Sequence, residues 1–260
     1  PTVVFVPGTM THPLFYSPFL DALSRHGYHV IGVHPLSHGR SPRVIRRFTL
    51  DDMIGNVRDA VGYACARFPG AVGLMGSSQG GVLTLLTAGA EHRIRAAFPH
   101  NVLFTPLRES LSVTRFPNAL GVVYPAIRRI IAAVGRVLPG LQVPVGFYLD
   151  VDKVFSEQQW RDAFFEDPMR LESYPASFLS SLFTTDMSAL VDGSITCPVV
   201  AFVSTGDPLF TLEYSRLVYE RLAAPEKRLV EVSANHHLIL NEKAEHAMPT
   251  VLAALDDYLK

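Results

Sequence analysis

The sequence holds only two cysteines in 260 residues, Cys65 and Cys197. They cannot build a disulfide framework, and their spacing matches no metal-ligand pattern. Each is expected inside the protein as a small hydrophobe. Charge is also scarce, at 18% of residues with a formal net charge of −1. That balance argues against a chain that binds nucleic acid electrostatically. Long apolar runs are missing as well. The longest candidate, around 120–138, is interrupted by Arg128, Arg129 and Arg136, whereas a span needs about 20 apolar residues. No internal repeat or low-complexity segment occurs. Residue 1 is proline and a strand follows at once, so the N-terminus does not fix the compartment; a cytoplasmic location is the expectation.

What is abundant is apolar residues, 48% of the chain. That is enough for one large α/β domain or two small ones. The first half alternates apolar runs with amphipathic ones. "TVVFVPG" (2–8) reads as a strand buried on both faces. Ser17-Pro18 reads as an N-cap with proline at the first helical position, and Gly27 ends that helix. "YHVIGV" (28–33) is the next strand. Thr49 and Asp52 open a second helix, which Phe68-Pro69-Gly70 closes. "AVGLM" (71–75) is a third strand with a helix behind it, and 94–104 holds a fourth. This alternation implies a mostly parallel sheet covered on both faces.

The alternation stops between about 105 and 195, where aromatics and prolines punctuate a helical, irregular segment with no clear strand. It resumes with "PVVAFVSTGD" (198–207), a helix near 211–222, "RLVEVSANH" (228–236) and a final helix. An insertion of 105–195 into one sheet formed by 1–104 and 196–260 explains this better than two independent domains.

Gly76-Ser77-Ser78-Gln79-Gly80 has the form G-x-S-x-G where a buried strand meets a helix. That is the setting of a nucleophile elbow centred on Ser78. Such a turn is tight, so Gly76 and Gly80 are needed where strand and helix nearly touch. The helix N-terminus places free N–H groups beside a developing oxyanion. A serine nucleophile needs a base, and the base an orienting acid. Asp207 and His237 follow successive apolar strands, in the nucleophile–acid–base order that this elbow expects. His236 competes with His237, and Asp186 and Asp192 compete more weakly with Asp207.

These motifs together resemble the α/β-hydrolase family over nearly the whole chain, the suspected branch being the carboxylesterase and monoacylglycerol-lipase-like serine hydrolases. "FVPGTM" resembles the oxyanion loop after the family's third strand. "HPLSHGRS" (34–41) resembles its D-x-x-G-x-G-x-S turn, with Gly39 and Ser41 matching and His34 in place of aspartate. "GSSQGG" resembles the elbow, "TGDP" the acid loop and "HLILNE" the histidine loop. Asn241 and Glu242, four and five positions after the histidine, are similar to the monoacylglycerol-lipase and lysophospholipase branch and select His237 over His236. Pro7 and Ser77 stand where the family often has histidine.

The resemblance implies backbone oxyanion donors at Thr9 and Gln79, with Met10 as the fallback, and makes 105–195 a helical cap. It implies a serine hydrolase of carboxylic esters without cofactor or metal. A serine nucleophile excludes the dehalogenation and epoxide opening that this fold performs with aspartate. The alternatives are a cofactor-free lyase or oxygenase, or a non-catalytic ligand-binding member of the fold. No acidic residue occurs between Glu109 and Asp150. The cap roof should therefore be apolar, which favours esters with apolar acyl or alcohol groups. It could also make weak contact with a lipid surface. No nucleic-acid partner is expected.

Overall fold

The structure is a computed structural model that describes residues 1–44 and 46–260. The chain starts with β1 (Thr2–Val6), α1 (Ser17–Arg25), β2 (His29–Gly32), α2 (Leu50–Arg67), β3 (Val72–Ser77), α3 (Gln79–Ala90) and β4 (Ala96–His100). It then leaves the sheet through α4 (Tyr124–Val137), β5 (Gln142–Pro144), α5 (Val145–Tyr148), α6 (Gln158–Glu166), β6 (Ser173–Pro175) and α7 (Ala176–Thr184). It returns with β7 (Val199–Ser204), α8 (Leu212–Arg221), β8 (Lys227–Val232) and α9 (Ala244–Leu259).

Six strands form one sheet in the order β2-β1-β3-β4-β7-β8, every pairing parallel. β4 pairs directly with β7, so the two halves of the sequence share one sheet across the intervening segment. Helix pairs α1 with α9 and α2 with α3 cover it. Because both faces are covered, β1, β3, β4 and β7 are buried at every position and read as continuous apolar runs. The parallel arrangement brings the C-terminal ends of β1, β3, β4, β7 and β8 to one edge, where ligands of open α/β sheets bind.

Local chemistry explains the helix starts. The Thr49 side chain accepts from Asp52 N and the Asp52 carboxylate accepts from Thr49 N, a complete capping box on α2. Ser17 is not an N-cap. Pro13 already starts a 3₁₀ turn through Tyr16, so Ser17 is the first residue of α1 and its Oγ donates back to the Leu14 carbonyl.

The segment between β4 and β7 is not strand-free. β5 and β6 pair antiparallel, Val143 opposite Tyr174. Three residues apiece, bounded by Pro144 and Pro175, are too few to show a period of two. Cys197 is buried, but Cys65 is exposed. On α2 the buried stripe runs through Met53, Val57, Val61 and Ala64, and Cys65 falls one position past it.

Candidate active site

β3 ends at Ser77 and α3 begins at Gln79, leaving Ser78 alone in the turn. Its backbone lies at φ +56°, ψ −115°, a region that costs a side-chain-bearing residue on the order of 1–3 kcal/mol. Hydrogen bonds on both sides hold it there. Ser78 N donates to the His100 carbonyl at 2.7 Å, and Gly81 N to the Ser78 carbonyl at 2.8 Å. The glycines are sterically required. A Cβ at Gly76 would lie 2.1 Å from the Gly80 carbonyl oxygen, and one at Gly80 would lie 2.2 Å from the Val6 oxygen. Gly81, one position past G-x-S-x-G, is as confined, with the Asn101 oxygen 2.1 Å from its Cβ position.

Asp207 follows β7 and His237 follows β8, both on the edge that carries Ser78. His237 Nδ1 and Asp207 Oδ2 are 2.8 Å apart, and both side chains are buried. A carboxylate only accepts, so Nδ1 carries a proton, and in the neutral imidazole the lone pair is then on Nε2. Asp207 Oδ1 accepts from the Leu209 and Phe210 amides at 2.7 and 2.9 Å. Burial pushes the Asp207 pKa up. The charge and hydrogen bond of His237 and the two amides outweigh it, and the carboxyl stays below its ordinary range. The Phe210 ring stacks on His237 at 5.4 Å, fixing the imidazole plane.

The competitors are placed elsewhere. His236 Nε2 donates to the Glu242 carbonyl at 2.9 Å. Asp186 and Asp192 are exposed or nearly so and accept from Ser188 and Ser194 in their own turns.

Gly8, Thr9, Ser78 and His237 line one small void of about 40 Å³. Thr9 N–H has no hydrogen-bond partner among the described residues, whereas Met10 N–H donates to the Tyr174 hydroxyl at 2.8 Å. The fallback donor is therefore occupied. Gln79 N occupies the first position of α3, where no intrahelical acceptor exists.

Sequence reasoning missed Asn101 and His100. Asn101, at φ +58°, donates through Nδ2 to Asp207 Oδ2 at 2.9 Å and lies 3.1 Å from His100 Nε2. His100 Nδ1 then donates to Ser77 Oγ at 3.2 Å, which gives Ser77 its role beside the turn. Burial pushes His100 down to about 3, so it stays neutral. The signal available was an Asn directly after a strand, a residue that tolerates positive φ. Glu242 is fully buried and caps the approach to α6, accepting from Ser156 N at 3.0 Å, from Ser156 Oγ and from Glu157 N at 3.3 Å. In the 34–41 turn, Ser41 Oγ donates to the His34 carbonyl at 2.6 Å, and Gly39 sits at φ +56°.

The family model described as serine aminopeptidase, S33 matches residues 1–244. The chain belongs to this α/β-hydrolase family. Solved structures with similar folds are found at low identity. Paleococcus ferrophilus monoacylglycerol lipase is 21% identical over 98% of this chain and 94% of that one, with a TM-score of 0.77. A soluble variant of Saccharomyces cerevisiae monoglyceride lipase is 14% identical over 100% and 87%, with a TM-score of 0.73. A structure from Nitrososphaera gargenis, described among carboxylesterases, is 17% identical over 99% and 90%, with a TM-score of 0.67. No curated protein matches the chain. Among this hydrolase's described residues, no group of three or more His, Cys, Asp or Glu is arranged to hold a metal ion, and no helix is long and apolar enough to cross a membrane.

Proposed function

We propose that this hydrolase cleaves carboxylic esters with apolar acyl or alcohol groups, with Ser78 as nucleophile, His237 as base and Asp207 as orienting acid. The observation that carries the reading is that the strained Ser78 and His237 line one void while Asp207 holds His237 from behind through a hydrogen bond. His237 Nε2 takes the Ser78 Oγ proton as Oγ attacks the ester carbonyl. The Thr9 and Gln79 N–H groups receive the oxyanion, and His237 returns the proton to the leaving alcohol. Asp207 stabilises the imidazolium in between. Water activated by His237 then hydrolyses the acyl-enzyme.

The void is lined by Phe15, Val145, Leu149, Phe155, Leu209 and Leu238 among others and by no carboxylate. Nothing there would bind a free substrate amine, which favours apolar esters over aminopeptides. A void of about 40 Å³ has room for a few waters at about 10–15 Å³ each, far less than an ester substrate needs. Substrate therefore enters as side chains of the segment above it move aside, and residues 105–195 serve as the cap over a core of 1–104 and 196–260. Ile130 and Val137 on α4 stay in solvent beside Arg129 and Arg136, as a weak lipid-surface contact would require.

The test is fluorophosphonate labelling followed by mass spectrometry, with hydrolysis of p-nitrophenyl esters of increasing chain length. Label on Ser78, and loss of both label and turnover in Ser78→Ala, is the expected result. Unchanged hydrolysis by Ser78→Ala overturns the mechanism.

A further inference from the structure

Three consecutive amides after β1 have different fates. Gly8 N–H donates to the Tyr16 hydroxyl at 3.1 Å, and Met10 N–H to the Tyr174 hydroxyl at 2.8 Å. Thr9 N–H, between them, is unpaired, and Thr9 lines the void. A peptide unit is a rigid plane. Pinning the planes on either side leaves the Gly8–Thr9 plane, and with it the Thr9 N–H, little freedom to turn. Its carbonyl is held too, since Gly8 O accepts from Thr11 Oγ at 3.0 Å.

Tyr16 comes from the core, next to α1. Tyr174 lies on β6, in the segment inserted between β4 and β7. Its ring is fully buried against Phe178, with centroids 4.2 Å apart, and Phe48 at 6.0 Å. The hydroxyl also accepts from Gln79 Nε2 at 3.2 Å, the side chain of the second proposed oxyanion donor. The hydroxyl's own proton goes to His38 Nε2 at 2.8 Å. That direction is set by the other ring nitrogen, because His38 Nδ1 donates to the Leu36 carbonyl at 2.8 Å and Nε2 is left to accept. Burial keeps this ring neutral, its pKa pushed down to about 4. A phenol has one proton and two acceptor sites, and all three are used here.

The stretch around Tyr174 is fastened to the core. Leu171 N donates to the Met10 carbonyl at 3.0 Å, Gly39 N to the Met169 carbonyl at 3.2 Å, and Arg43 to the Met169 and Arg170 carbonyls. His12 Nε2 and Asp167 Oδ2 are 2.6 Å apart. This part of the insertion is a strap rather than a lid.

We infer that Tyr174 is a positioning residue for acyl transfer, through which the inserted segment holds both arms of the oxyanion site. The inference rests on the serine-hydrolase reading of Ser78. It acts through the Met10 amide and the Gln79 side chain and does not touch substrate. Loss of the hydroxyl therefore weakens transition-state stabilisation more than substrate binding. Deleting a direct oxyanion donor costs about 10²–10³ in kcat, and loosening the loop that carries one is expected to cost about tenfold.

The experiment compares wild type, Tyr174→Phe and Phe48→Leu, each normalised to its fluorophosphonate-titrated active sites. Tyr174→Phe keeps the ring and its packing. The expected result is kcat down about tenfold with KM within about twofold, and a parallel loss of affinity for a trifluoromethyl ketone, which forms the tetrahedral adduct. Phe48→Leu disturbs the same packing but leaves the hydroxyl, so its kcat should stay within about twofold of wild type. A Tyr174→Phe kcat within twofold of wild type, or an equal fall in Phe48→Leu, overturns the inference. If Tyr174→Phe does not fold, His38→Leu carries the test. It removes the acceptor of the hydroxyl proton, which then competes with the two incoming N–H groups, and an unchanged kcat overturns the inference. A wild type that neither labels nor hydrolyses esters instead overturns the hydrolase reading itself.

Discussion

Asn101 Nδ2 donates to Asp207 Oδ2 at 2.9 Å, joining the end of β4 to the loop after β7. Asn101 also carries a positive φ of 58°, and its carbonyl oxygen closes over Gly81. One residue thus supports both Asp207 and the start of the helix behind Ser78.

Replacing Asn101 separates these roles. Asn101→Gly removes a hydrogen bond to a buried carboxylate and should lower stability by about 1.5–3 kcal/mol. Asn101→Ala loses the same bond and adds about 1 kcal/mol for a Cβ at positive φ. Urea midpoints should therefore fall in the order wild type, Gly, Ala. Equal midpoints for Gly and Ala would show that the backbone is not held at φ 58°.

His100 and His38 give the protein a pH-dependent stability. Burial is the leading cause of both depressed values, about 3 and about 4. The unfolded chain takes up these protons near pH 6.5 while the folded protein does not. Their contribution is therefore fully present above pH 6.5 and is lost as pH falls, down to about 4 for His38 and about 3 for His100. Each adds a slope approaching about 1.4 kcal/mol per pH unit in that window. His100→Gln should flatten the curve of urea-derived stability between pH 6 and 4, and an unchanged slope would contradict its burial in neutral form.

The glycines divide by environment. Gly81→Ala forces a Cβ to 2.1 Å from the Asn101 oxygen, which is backbone and cannot swing away. A cost of about 3 kcal/mol, with loss of activity, is expected. Gly55, in the middle of α2, has nothing within 4 Å of its Cβ position. Gly55→Ala should stabilise by about 0.5–1 kcal/mol through helix propensity. Thermal melts of the two variants should move in opposite directions.

Glu242 ties the histidine loop to the inserted segment through Ser156 and Glu157. Glu242→Ala removes the bonds from exposed Ser156 and half-buried Glu157 to a fully buried side chain and should cost about 1.5–3 kcal/mol. Because His236 also donates to the Glu242 carbonyl, the loop carrying His237 should loosen and kcat should drop severalfold. Ser156→Ala removes one bond and should cost about 1 kcal/mol. A Glu242→Ala protein with wild-type melting temperature and kcat would show that the tie is unimportant.

Much of this molecule was legible locally. The buried strands, the capping box at Thr49, and the glycines around Ser78 follow from short-range periodicity and sterics. So does the chain order Ser78, Asp207, His237. The 3₁₀ turn before α1, the β5–β6 pair and the exposure of Cys65 were not legible. Each depends on one to four residues, too few to leave a pattern.

The amino-acid sequence by itself determined the parallel sheet, the elbow and the residue types able to serve it, because backbone geometry and burial on both faces act over a few neighbouring positions. Motif spacing already pointed to His237 over His236, but only the tertiary structure showed that its Nδ1 meets Asp207, that Thr9 rather than Met10 keeps a free N–H, that Asn101 and Tyr174 bond to Asp207 and Met10, and that Glu242 bonds to the inserted segment. Asn101 lies 106 residues from Asp207, and Tyr174 lies 164 residues from Met10. Contacts at such separations arise from how the sheet and its insertion close on each other, and no local spacing encodes them.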